Sequence, residues 1–145
     1  MELITSTICK TKDLGVHGNM FGGILLSLLD ESGAIFCAKI ADTGKVVTLK
    51  LEEVVFKEPI KAGEILMIYG ELLEIGNTSM TIQLEARIHD PENGNQFIGC
   101  TTRMVFVKID SRGRPSPISK KVKNHYSDKL RKKKTEKNEL TITNN

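Results

Sequence analysis

The sequence predicts an α+β fold in which an antiparallel sheet of five to six strands curves around one long buried helix. Three observations predict it. An apolar segment over residues 20–41 repeats at helical spacing. One strand-like run precedes this segment and four follow it, rich in β-branched residues and bounded by turn residues. Few polar side chains interrupt the helical segment, so it must be wrapped, and a curved sheet is the wrapper the remaining elements supply.

Residues 2–10 are rich in Ile and Thr and form the first strand. A glycine-rich loop through Gly15 and Gly18 leads into the helix, where Ile24, Leu25, Leu28, Leu29, Ile35 and Ala38 recur at helical spacing. Its composition predicts burial on most sides. Asp42-Thr43-Gly44-Lys45 ends it. The second strand, residues 46–56, alternates through Val47, Leu49 and Leu51 and then shifts phase near Glu52-Glu53, the mark of a bulge. Residues 64–75 form the third strand, entered through Pro59 and Gly63. The turn Gly76-Asn77-Thr78-Ser79 joins it to residues 80–89. There Met80, Ile82, Leu84, Ala86 and Ile88 alternate with polar neighbours, the cleanest period-two pattern in the chain. Residues 96–109 are the last strand. These four strands are expected to pair as an antiparallel meander. Residues 1–118 make one domain, and residues 119–145 a basic polar tail, disordered or partly helical, without a second apolar-periodic helix.

Composition narrows the function classes. A chain of 145 residues with 39% apolar content suits one domain with its own core. Three cysteines, with no C-x-x-C pair and no Cys/His metal spacing, read as reduced structural thiols of a cytoplasmic protein, and no metal is expected. No basic-then-apolar leader opens the chain, and no run of about 18 apolar residues could span a membrane. The net charge of +3 hides an asymmetry. Residues 119–145 carry +6 and the rest −3. Beyond Tyr126 the tail lacks the stacking aromatics that would go with nucleic acid, which is not an expected partner.

The chemistry concentrates in His17-Gly18-Asn19-Met20-Phe21-Gly22-Gly23 and the helix it enters. Two glycines at a helix N-terminus present unhindered N–H donors where an oxyanion could form. Asp30 sits further along inside an apolar run, a candidate base or nucleophile. Donors for a developing negative charge plus a carboxylate point to acyl transfer, most simply hydrolysis of an activated acyl group. Asp30 has a plainer reading, a helix carboxylate paired with Lys or Arg. Asn19 reads equally as a catalytic residue or as a helix N-cap bonded to Gly22. His17 is a lesser candidate base, Glu31 reads as solvent-facing, Ser27 lacks a histidine partner, and Cys37 reads as a small core residue.

Gly18-Asn19-x-x-Gly22-Gly23 followed by an apolar helix with Asp30-Glu31 resembles the hotdog-fold acyl-CoA thioesterases, closest to the bacterial broad-specificity and related cytosolic acyl-CoA hydrolases. Val46-Val47-Thr48, residues 56–64 and residues 76–80 fit the same group over residues 1–118. The resemblance implies a sheet wrapped around a central helix, dimers formed by sheet extension, and further assembly to tetramers or hexamers. It implies acyl-CoA hydrolysis with no cofactor beyond the CoA of the substrate. Asp30 matches the family's base or nucleophile, Asn19 the motif asparagine, and Gly22 or Gly23 the backbone donor. Asn77, Thr78 and Ser79 match the region near the CoA nucleotide, and Arg103 is a candidate for its phosphates.

The spacing adds a constraint of its own. Gly22 and Asp30 are eight residues apart, about 12 Å along a helix at about 1.5 Å per residue. One thioester cannot lie within hydrogen-bonding reach of both on a single helix. If both serve one substrate, Asp30 comes from a second, antiparallel helix. Two other classes compete: a non-catalytic acyl-CoA sensor, and an enoyl-CoA hydratase, which would want a histidine within the helix, where none occurs.

Overall fold

The computed structural model describes residues 1–143; residues 144 and 145 of the basic tail lie outside the described residues. The strands are β1 (Glu2–Ile8), β2 (Val46–Phe56), β3 (Ile65–Ile75), β4 (Ser79–His89) and β5 (Gln96–Lys108). Helix α1 (Gly22–Ala41) lies between β1 and β2 in the chain, and α2 (Lys120–Thr143) closes it. Period-two alternation decides which face of the sheet meets α1. Leu66, Ile68 and Leu72 of β3, Met80, Ile82, Leu84 and Ala86 of β4, and Met104 and Phe106 of β5 are buried on that face. Against them pack Leu25, Leu29, Phe36, Cys37 and Ile40 of α1. The helix comes close because Gly33 has no side chain: a Cβ there would meet the Phe106 ring at 2.8 Å.

All five strands form one antiparallel sheet in the order β1-β3-β4-β5-β2. The expected four-strand meander is therefore corrected. Strands β3, β4 and β5 follow one another, but β2 pairs with β5 at the far edge and β1 takes the place beside β3. Three strand spacings, about 14 Å, separate β2 from β3. The eight residues 57–64 between them can reach about 26 Å and cross that gap. The crossing is anchored by Ile60, only 2% exposed, whose carbonyl accepts from the Met20 N–H at 2.7 Å.

The phase shift in β2 is present as a register break between Glu52 and Val55, with Glu53 held at φ 47°. Burial of α1 on most sides is not seen in the single chain. Five strands cover one side, and the other leaves Ile24 36% and Ile35 53% exposed. Helix α1 ends at Asp42, which takes the left-handed conformation and donates its N–H to Ala38 O.

The tail is helical from Lys120, and Val122, Tyr126 and Leu130 pack against the core. These three recur every fourth residue, so an apolar stripe does run through the lysines. Lys133 bonds to Glu71 of β3 at 2.7 Å. Among the described residues, no helix is long and apolar enough to cross a membrane.

Candidate active site

The loop before α1 is fixed by backbone bonds. Gly15 N–H donates to Asn19 O at 2.7 Å, Met20 N–H to Ile60 O, and Phe21 N–H to Asp13 O at 2.8 Å. Gly18 sits at φ +78°, a conformation that suits glycine. The chain thus enters α1 with Phe21 extended at the N-cap position and no side chain capping it. The N-cap reading of Asn19 is corrected: Asn19 lies two residues before the cap, and its side chain makes no hydrogen bond among the described residues. The Ile24 and Leu25 N–H groups turn back to Phe21 O. Those of Gly22 and Gly23 find no acceptor among the described residues, as the first donors of a helix do when no side chain caps them.

Two exposed aromatic rings wall this end of the helix. Phe21 lies so close to Gly23 that a Cβ there would meet its ring at 2.7 Å, and Phe56 stands about as near to Gly22 as van der Waals contact allows. The donors thus lie beside two apolar rings that are themselves exposed to solvent in the single chain.

Asp30 lies eight residues along the same unbroken helix. It is half-buried and turned toward the β2 side, where the Thr48 hydroxyl donates to Asp30 Oδ1 at 2.5 Å. No described Lys or Arg pairs with it, so the plainer reading of Asp30 as half of an ion pair falls away. Thr48 fixes one oxygen of the carboxylate and leaves the other available. In the sequence Thr48 stands out only as part of Val46-Val47-Thr48, with no sign of a role of its own. The contact spans 18 residues, and a threonine in a β-branched strand carries no local sign of it.

The other candidates are distributed around the molecule. Ser27 donates to Gly23 O within the helix, and Glu31 is exposed. His17 is exposed in the loop. Burial pushes the Cys37 thiol up to about 12 and the Cys100 thiol up to about 11, so neither supplies a thiolate at neutral pH. Asn77, Thr78 and Ser79 occupy the β3–β4 turn. There Asn77 Oδ1 accepts from Lys123 of α2 at 3.0 Å and Asn77 O from Ile118 N–H, so α2 pins the turn. Arg103 is exposed on the sheet face opposite α1, across from Glu52 of β2. In one chain neither the turn nor Arg103 meets Asp30.

A helix cradled by this sheet, with free N–H donors at its start and a threonine-held carboxylate midway, has the architecture of a hotdog-fold thioesterase. The sequence profile of the thioesterase superfamily matches residues 17–94, and the chain belongs to that family. It is 30% identical over 120 residues to the acyl-CoA thioester hydrolase YciA of Salmonella typhimurium, an alignment covering 81% of this chain and 90% of the relative. Among solved structures it is similar to HI0827, a hexameric broad-specificity acyl-coenzyme A thioesterase in a form carrying an aspartate-to-alanine substitution. The TM-score is 0.82 at 26% identity, over 90% of this chain and 98% of that one. It is also similar to Cj0915, a hexameric hotdog-fold thioesterase of Campylobacter jejuni, with TM-score 0.77 at 29% identity over 88% and 97% of the two chains.

Proposed function

We propose that this protein hydrolyses the thioester of an acyl-CoA to the free acid and CoA, at sites built between two copies of the chain. The observation that carries the proposal is the separation of the two halves of the machinery along α1. The Gly22 and Gly23 donors and the Asp30 carboxylate stand about 12 Å apart on one helix, too far to share one carbonyl. An antiparallel second α1 brings the donors of one chain to the Asp30 of the other, giving two equal sites per dimer.

The exposed apolar residues on and near β2 support that pairing. Val47, Leu49, Leu51, Val55 and Phe56 are each more than 40% exposed along an edge strand, and Phe21 and Ile24 continue the patch. A free edge lined this way is an interface awaiting a partner strand. The solved hexamers of similar chains are consistent with self-association.

Within such a site each group has a role. The Gly22 or Gly23 N–H polarises the thioester carbonyl and takes the charge of the tetrahedral intermediate, an effect worth on the order of 10² to 10³ in rate. Asp30, oriented by Thr48, removes the proton of the attacking water, worth about 10² to 10⁴. Collapse of the intermediate expels the CoA thiolate. Direct attack by Asp30 through a mixed anhydride is the competing route. In a single turnover in heavy-oxygen water, label found in Asp30 marks the anhydride opened at the Asp30 carbonyl, whereas base catalysis labels the acid alone. Asn19, beside the donors, and the 77–79 turn and Arg103, which offer polar and cationic groups to the CoA phosphates, complete the assignment. The reading requires no metal or other cofactor.

Free-thiol release from short- to long-chain acyl-CoAs, with wild type and Asp30→Ala side by side, tests the proposal. Turnover by the wild type and a loss of about 10² to 10⁴ in a folded Asp30→Ala protein is the expected result. CoA binding without turnover of any acyl-CoA would replace the hydrolase by a sensor.

A further inference from the structure

At the edge of the sheet opposite β2 and Thr48, a cavity of about 360 Å³ opens between α1, β3 and α2. Phe36, Ile40 and Leu72 form its floor, each less than 10% exposed, and Tyr126 and Leu130 of α2 overhang it. The cleft opens to solvent between charged residues, but Phe36, Ile40 and Leu72 offer the water inside it no hydrogen-bond partner, so an alkyl chain there replaces poorly bonded water. The volume falls within the range of small-molecule sites, about 300 to 1,000 Å³.

The rim has different chemistry. Lys39 bonds to Glu2 at 2.8 Å and Lys133 to Glu71 at 2.7 Å, so both rim carboxylates are neutralised. A third lysine, Lys129, lies 5.6 Å over the Tyr126 ring and pairs with no carboxylate among the described residues. The mouth is therefore cationic and the floor apolar. None of Asn19, Gly22, Gly23, Asp30 and Thr48 lines this space.

We propose that this cavity binds an amphipathic carboxylate, its alkyl chain against Phe36, Ile40 and Leu72 and its head group at Lys129, as a second site separate from the thioester site. The occupant is defined by the cavity, not by the hydrolase reading, so the two stand or fall separately. A ligand wedged between β3 and α2 also ties the C-terminal helix to the sheet.

Dodecanoate, titrated calorimetrically into the wild-type protein, tests the proposal. It should bind once per chain and raise the melting temperature. Lys129→Glu should weaken binding at least about fivefold, because it removes one exposed charge contact and sets a carboxylate against the head group. Lys132→Glu, the same charge change on α2 away from the cavity, should leave binding unchanged. Saturating CoA should not compete, and dodecyltrimethylammonium should bind more weakly than dodecanoate. Absence of saturable binding, equal effects of the two substitutions, equal affinity for the cationic amphiphile or displacement by CoA would each overturn the assignment.

Discussion

The two edges of this sheet are finished in different ways. On the β1–β3 side, α2 packs beside β3 with Val122, Tyr126 and Leu130, and Lys133 ties it to Glu71, while of the edge strand β1 itself Leu3 and Ile8 stay about half exposed. On the β2 side no second helix packs in this way. Leu49 is 63% and Phe56 55% exposed, and the uncapped N–H groups and the Asp30–Thr48 pair lie on this side. The β2 edge carries the longer bare apolar stretch, the kind of surface that a partner strand covers. The proposed chemistry belongs to this β2 edge.

If that contrast holds, substitutions on the open side change turnover and those on the closed side change stability. After Asp30→Ala, the largest effect is expected at the donors. Proline removes an N–H yet is tolerated in the first turn of a helix, and Phe21 already has the extended backbone that suits a residue before proline. Gly22→Pro should keep the fold, in Gly23→Pro the exposed Phe21 ring must turn aside from a new Cβ at 2.7 Å, and one of the two should lower kcat by about 10² to 10³. Steady-state kinetics on both identifies the operative donor; normal turnover in both would remove the oxyanion role from this helix end.

Thr48→Val comes next. It deletes the hydroxyl that holds Asp30 Oδ1 at 2.5 Å while keeping a β-branched side chain in the strand. A hydrogen bond to a charged group is worth about 1.5 to 3 kcal/mol, so kcat should fall at least tenfold with KM little changed. An unchanged kcat would make the contact incidental.

The smallest effect sharpens the closed side. The Lys133 ammonium, through its hydrogen bond, holds the Glu71 carboxyl below its ordinary value. A carboxylate with a depressed folded pKa contributes stability that is present above its unfolded value and lost as pH falls through the folded one. Protection of α2 from hydrogen exchange should therefore weaken as pH drops below about 4.3, the unperturbed glutamate value, and Lys133→Ala should remove that dependence. The pair is partly exposed, so its contribution is about 1 kcal/mol or less.

The sequence and the structure agree where the signal is local. Alternation in β4, the helical repeat of α1 and the bulge at Glu53 were all legible, because each depends on neighbours a few residues away. The place of β2 was not, since pairing with β5 rather than β3 is a choice among edges that no local pattern encodes. Thr48 was missed for the same reason: its meaning depends on Asp30, 18 residues earlier. The stripe Val122, Tyr126, Leu130 was legible at its spacing of four, but the lysines between hid it by lowering the average hydropathy.

The claim that the site takes one half from each of two chains is tested most directly by complementation. Asp30→Ala is mixed with the more damaging of the two proline variants, unfolded together and refolded. In a two-chain site, half of the randomly paired dimers carry one intact site of two, so turnover should return to about a quarter of wild type. If donors and carboxylate act within a single chain, every chain in the mixture is defective, and the mixture would stay as inactive as its parents.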